Sequence, residues 1–127
     1  MPYQLGARSR ARLEGVHPDL VKVVERAIAI TDIDFTVLEG KRSSARQAEL
    51  VKQGASKTMK SRHLTGHAVD LGAFVAGEVR WDWPLYHKLA KAVKQAAKDV
   101  GVSIEWGGDW RTFKDGPHWQ LPWAKYP

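Results

Sequence analysis

The chain has no cysteine among its 127 residues. That absence excludes disulfide staples, a thiolate metal site and a cysteine nucleophile. Any metal must therefore be held by histidine or carboxylate. No apolar run approaches the roughly 18–20 residues of a membrane-spanning helix, so no membrane span is expected. The opening residues, Met1-Pro2-Tyr3-Gln4-Leu5-Gly6-Ala7-Arg8-Ser9-Arg10, lack the apolar stretch of a secretory signal. The expectation is synthesis in the cytosol. Acidic residues are in deficit, 14 against 20 Lys and Arg, for a net charge of +6. This balance fits either solubility or attraction to a polyanion. No basic block, RNP motif, zinc finger or helix-turn-helix pattern points to nucleic acid, which leaves anionic envelope components, such as lipid head groups or cell-wall polymers, beside the plain solubility reading. Repeats, low-complexity segments and linkers are also missing. The length suits a single domain over 1–127 that folds without staples. Residues 1–14 are polar, basic and without clear period, and are expected to form a loosely ordered lead-in.

What is present begins with helical spacing. Pro18 and Asp19 suit a first helical turn, and Leu20, Val23, Val24, Ala27 and Ile28 share one face, so a helix is expected over Pro18–Ile30. Asp34–Glu39 reads as a short strand closed by Gly40. Ser44 and Gln47 have capping-box spacing, and a second helix should run to Lys52, with Gly54 just beyond. A polar loop over Ala55–Arg62 follows. In the next strand Val69 and Leu71 face one way, and Ala68, Asp70 and Gly72 the other. Phe74–Trp81 reads as a hairpin turning at Ala76-Gly77. A long helix capped by Asp82, with Pro84 in its first turn, should bury Leu85, Leu89, Ala92, Val93, Ala96, Ala97 and Val100 and stop at Gly101. Strands are expected over Val102–Trp106 and His118–Leu121, with a loop through Trp110 and Phe113 between them. The expected fold class is α+β: a small, mostly antiparallel sheet with helices packed on one side.

The chemistry concentrates in two stretches. Ser61-Arg62-His63-Leu64-Thr65-Gly66-His67-Ala68-Val69-Asp70 places a histidine and an aspartate seven positions apart around a glycine. Asp115-Gly116-Pro117-His118 supplies another carboxylate three residues before another histidine. Any one histidine is more often a surface or structural residue. Together, His63, Asp70 and His118 read as the three protein ligands of a catalytic zinc ion on the sheet face, with a fourth position left to solvent. An iron facial triad uses the same ligand types and is the alternative. If the last strand lies beside Ala68–Gly72, Asp70 and His118 converge, and His63 reaches in from its loop. His67 reads as a cleft-edge residue, and His17 and His87 as structural or exposed. Most of the six tryptophans suit the core and rim, with Trp106 and Trp110 placed to line a groove.

Ser61-x-His63-x-x-Gly66-x-Ala68-x-Asp70 with Asp115-x-x-His118 resembles the signature of the VanY-like zinc peptidases. The resemblance runs from about Val16 to Trp123. That family holds D-alanyl-D-alanine carboxypeptidases and dipeptidases and the L-alanyl-D-glutamate endopeptidases of bacteriophage endolysins. The wording around His63, Trp106 and His118 is most similar to the single-domain endolysin branch. The resemblance implies the same α+β architecture, one zinc ion per chain, and Asp115 as general base and then general acid. Many relatives carry glutamate there, so the shorter aspartate must sit nearer the metal or act through water. It further implies that Arg42 holds the substrate or a developing oxyanion, and that Ser61 donates a hydrogen bond near the metal. Arg42 otherwise reads as a surface ion pair, and Ser61 as a loop cap. The expected function is a zinc-dependent peptidoglycan endopeptidase cutting the L-alanyl-D-glutamate bond, acting as a monomeric endolysin without a separate wall-binding domain. It would reach the periplasmic peptidoglycan after holin-type release. The rivals are a D-alanyl-D-alanine carboxypeptidase of the same family and a non-catalytic, metal-stabilised envelope-binding module.

Overall fold

Helical spacing after Pro18 and alternation after Ala68 both carry through to the structure, a computed structural model that describes residues 3–55, 61–112 and 114–127. Residues 56–60 of the expected polar loop, and Phe113, lie outside the described residues. The elements are helix α1 (Ala7–Arg12), α2 (Pro18–Ile30), strand β1 (Phe35–Glu39), α3 (Ser44–Lys52), β2 (Ala68–Val75), β3 (Glu78–Arg80), α4 (Trp83–Val100), β4 (Glu105–Trp106) and β5 (His118–Gln120). Short 3-10 turns span Arg62–Thr65 and Gly107–Asp109.

The sheet runs β1-β2-β5-β4, with β3 also paired to β2, and every pairing is antiparallel. Ala76 and Gly77 both have positive φ, 54° and 81°. That is the type I′ geometry whose twist matches a two-residue hairpin. Val69, Leu71 and Trp119 turn to one face and join Leu20, Val23, Val24, Leu89 and Val93 in a single apolar core with α2 and α4. Removing this surface from water drives the two helices onto the sheet. The other face is left to Asp70, His118 and Gln120. An α+β domain with its site on the face away from the main core is therefore what the chain forms.

Several local expectations are corrected. Residues 7–12 are not a loose lead-in but the helix α1. Its role is polar: Val37 N–H donates to Ser9 Oγ at 2.9 Å, and Arg12 Nη1 donates to Val37 O at 2.9 Å. These side chains satisfy the backbone of β1, which would otherwise be an open sheet edge. Gly40 lets α1 come close, since a Cβ there would stand 2.0 Å from Arg12 O. The N-cap of α3 is Ser43, whose Oγ accepts from Arg46 N, rather than Ser44. In α4 the buried stripe runs through Tyr86, Leu89, Ala90, Val93, Ala96 and Ala97, so Tyr86 and Ala90 replace Leu85 and Ala92. Asp82 occupies the N-cap position of α4 without a side-chain cap bond; its carboxylate accepts from Arg80 Nη2 at 2.6 Å instead. Only Glu105 and Trp106 of the expected Val102–Trp106 strand pair with a neighbour.

Candidate metal centre

Register places the first two candidate ligands. In the β2–β5 ladder Asp70 stands directly opposite His118, so both side chains leave the same face. His63 comes from the 3-10 turn, which Ser61 caps by accepting from His63 N at 3.2 Å. Gly66 ends the turn in the left-handed region at φ +77°, and a Cβ there would stand 2.2 Å from Gly15 O. Only glycine allows both the conformation and the approach. His17 N donates to Gly66 O and Arg42 N to His63 O, both at 2.8 Å. The turn is thus pinned to the start of α2 and to the segment after β1.

The result is convergence. His63 Nε2 lies 3.2 Å and His118 Nδ1 3.3 Å from the same Asp70 oxygen. The three ligand atoms all fall within 4.8 Å of one another. Tetrahedral ligands at about 2.0–2.1 Å from zinc stand about 3.3 Å apart, so the spacing suits such an ion. The hydrogen bonds behind the rings fix their tautomers. His63 Nδ1 faces Gly40 O at 2.8 Å. A carbonyl only accepts, so Nδ1 carries the proton and Nε2 presents its lone pair. His118 Nε2 faces Gln120 Oε1 at 2.8 Å, while Gln120 Nε2 faces Glu105 Oε2 at 3.1 Å. The carboxylate orients the amide, the amide oxygen accepts from His118 Nε2–H, and His118 Nδ1 is left bare. Two lone pairs and a carboxylate aimed at one point repel unless a cation joins them. The donor set therefore fits a divalent metal and contains no soft ligand.

With no cation bound, protons on the imidazole nitrogens that face Asp70 take its place. Burial disfavours the charged form of Asp70, but hydrogen bonds and charge from His118 and His63 outweigh it and hold its carboxyl well below the usual range. Burial likewise disfavours charged His118, yet Asp70, Gln120 and Asp115 raise it above the ordinary imidazole value. Asp115 is half-buried and shifts upward, first through burial and then through the negative charge of Asp70; His118, His63 and Arg42 oppose the shift. Its backbone is held beside the site, with Asp115 N donating to Gly107 O at 3.0 Å and His118 N to Asp115 O at 3.2 Å.

Arg42 is held rather than loose. A bulge in β1 sets Val37 against Leu71 and Glu39 against Asp70. The extra residue turns Glu39 onto the face of Asp70. There Arg42 Nε donates to Glu39 at 2.5 Å and Nη1 to the buried Gln47 at 2.6 Å. Nη2 is left 4.0 Å from Asp70 Oδ2. Trp110 lines the site, its ring centroid 5.1 Å from that of His118. Trp106 does not: it stacks on Trp119 at 5.6 Å on the core face and donates its Nε1–H to Gly116 O. Periodicity gave no sign of a role for Glu39, Gln47, Glu105 or Tyr86. Strand alternation over His118–Leu121 does group Gln120 with His118 on one face, with Trp119 and Leu121 on the other. Tyr86 packs its ring beside Gly116, and its buried hydroxyl lacks a hydrogen-bond partner among the described residues. Burial, then the charges of Asp115, Asp70 and Asp82, push its pKa up to about 12.

The family described as phage L-alanyl-D-glutamate peptidase matches residues 1–120. The chain belongs to this family. Like other peptidases of that description, it is similar to the L-alanyl-D-glutamate peptidase of Escherichia phage T5, at 34% identity over 119 residues, covering 91% of this chain and 87% of that protein. It is similar to the crystal structure of the L-Ala D-Glu endopeptidase ChiX of Serratia marcescens, with a TM-score of 0.92 and 52% identity, covering 98% of this chain and 94% of that one. The vancomycin-resistance D,D-dipeptidase VanXYg shares the fold at a TM-score of 0.52 and 16% identity, over 84% of this chain and 50% of that one.

Proposed function

We propose that this chain is a zinc-dependent endopeptidase that hydrolyses the L-alanyl-D-glutamate bond of peptidoglycan stem peptides, in the role of a phage endolysin. The observation that carries the reading is the meeting of His63, Asp70 and His118 with both imidazole lone pairs turned inward, in a chain of this peptidase family. A zinc ion held by these three side chains would polarise the scissile carbonyl and make water a nucleophile near neutral pH.

The chain's own groups supply the rest. Asp115 is the general base that takes the proton of the attacking water, and the general acid that returns one to the departing amine of the acidic residue. Its raised pKa brings it nearer the working pH of such a group. As water adds, the carbonyl oxygen gains negative charge. Arg42, held by Glu39 and Gln47, offers a guanidinium preset toward that charge. Trp110 places an apolar ring beside His118. Ser61 serves as the cap that aims His63. Collapse of the tetrahedral adduct breaks the C–N bond, leaving a new carboxylate on alanine and a free amine on the glutamate.

The wider role follows the same reading: a monomer that leaves the host cytosol through a holin-type pore and acts on periplasmic peptidoglycan. Among the described residues, no helix is long and apolar enough to cross a membrane. The deciding experiment is mass spectrometry of purified peptidoglycan digested with the protein, with chelator and with added zinc. New alanine carboxyl ends and glutamate amines, lost on chelation and restored by zinc, are the expected products. Release of D-alanine alone would make it a D-alanyl-D-alanine carboxypeptidase, and no turnover under any condition would favour a binding module.

A further inference from the structure

The two histidine ligands are braced in different ways. His63 leans on a backbone carbonyl, Gly40 O, which no side-chain substitution removes. His118 leans on two further side chains in series, Gln120 and Glu105. Three features make that series a built device. Glu105 and Gln120 are direct cross-strand partners in the β4–β5 ladder, so the sheet sets their separation. His118 and Gln120 sit two apart on β5 and therefore share a face. Gln120 is 6% exposed and His118 7%, so water competes weakly for either bond.

The chemistry runs one way along the series. Glu105 can only accept, which forbids the flipped orientation of the Gln120 amide. That amide then presents an acceptor, and only an acceptor, to His118 Nε2. We propose that Glu105 and Gln120 are positioning residues for the metal, setting the tautomer and ring angle of His118 so that Nδ1 is the liganding atom. This rests on the reading of His63, Asp70 and His118 as a zinc centre. Partners of this kind behind a liganding imidazole typically change metal affinity by about 10–100-fold.

The test is a set of substitutions read by zinc competition against a chelator dye, together with nitrogen NMR of the histidine rings. Gln120→Leu keeps the volume and removes the acceptor; zinc binding should weaken by about 10–100-fold, with mixed His118 tautomers. Gln120→Glu alone sets two carboxylates against each other and should weaken zinc as well. The exchanged pair Glu105→Gln with Gln120→Glu restores every donor–acceptor match in reversed order. It should recover zinc affinity to within a few-fold of the native protein. Thermal melts of the zinc-free forms separate misfolding from misaligned ligands. Native-like zinc affinity and a pure Nε2–H tautomer in a folded Gln120→Leu protein would overturn the proposal. So would an exchanged pair that folds yet binds as weakly as Gln120→Glu. If the native protein takes up no zinc at all, the metal-centre reading falls by itself. The positioning claim is then decided by the His118 tautomer in zinc-free native and Gln120→Leu proteins, read at alkaline pH where the ring is neutral.

Discussion

Replacing Gly107 by alanine should cripple catalysis while leaving the protein folded. Gly107 begins the 3-10 turn after β4, and its carbonyl accepts from Asp115 N. A Cβ built there would lie 2.4 Å from Asp115 O, 3.0 Å from Asp115 Cβ and 3.0 Å from His118 Cβ. None of these is the far end of a flexible side chain, so backbone has to give. Bringing the oxygen contact back to ordinary separation requires a shift of about 1 Å, and misplacement on that scale costs about 100-fold in rate. The shift falls on the proposed base and one proposed metal ligand at once. Overpacking of this kind costs about 1–3 kcal/mol, against about 5–15 kcal/mol for a whole domain, so most molecules stay folded. The assay is kcat and KM on a purified stem peptide, with a thermal melt and zinc titration on the same preparation. The expected outcome is a kcat about 100-fold down in a folded protein. A folded Gly107→Ala enzyme with kcat within about threefold of native would refute the argument that this close approach sets the position of Asp115.

Three further outcomes follow from the same contacts. Asp115→Asn keeps size and removes the proposed proton acceptor; kcat should fall by about 100- to 10,000-fold with zinc affinity not reduced, and a loss of zinc binding instead would make Asp115 a ligand. Arg62, 3% exposed, donates to Leu121 O and Tyr126 O under the Trp123 ring at 4.0 Å. Arg62→Ala should cost about 2–3 kcal/mol in urea unfolding, with activity per folded molecule retained. His67 titrates below the ordinary imidazole value, through burial first and then the positive charges of Arg62 and His17. Its neutral form is favoured by folding, so the stability it contributes is full above the unfolded value and declines as pH falls through it toward the folded value. The melting temperature should therefore drop on mild acidification, and His67→Gln should reduce that drop; an unchanged pH profile would sink the assignment.

How much of this was legible in the sequence depends on what kind of contact placed each element. Helix α2 was readable to both ends because Pro18 starts it and a continuous apolar face sets its period. The alternation in β2 and β5 carried the face assignment of Asp70, His118 and Gln120, since a strand has only two sides. Helix α1 was not readable. It has six residues and no apolar stripe, and it is held by Ser9 and Arg12 satisfying the edge of β1. Polar edge-capping leaves no hydrophobic period. The bulge that turns Glu39 toward Arg42 was equally hidden, because one inserted residue looks like ordinary strand sequence. The α4 stripe was displaced by Tyr86, whose ring fills the space beside Gly116, where a Cβ would stand 2.7 Å from it. A glycine's missing side chain is an invitation to a neighbour that only the fold identifies.

These differences explain why the three proposed ligands are unequal in mechanical terms. Asp70 and His118 are locked by one ladder step, so any change that preserves β2–β5 pairing preserves their distance. His63 has no ladder. It depends on Ser61 below it, Gly66 beyond it, and backbone bonds to His17 and Arg42. Two of those supports meet the segment Gly15–His17, and the Gly40 carbonyl that braces the ring depends on α1 approaching it. The segment before β1 thus reaches the His63 turn through backbone contacts. A substitution such as Gly40→Ala, whose Cβ would stand 2.0 Å from Arg12 O, must either push α1 off the β1 edge or move the carbonyl behind His63. In the first case the cost appears as stability; in the second it appears as weaker metal binding with the Asp70–His118 pair intact. Zinc titration beside a urea melt of Gly40→Ala tells the two apart. A native value in both would mean that α1 and the His63 turn are not mechanically joined.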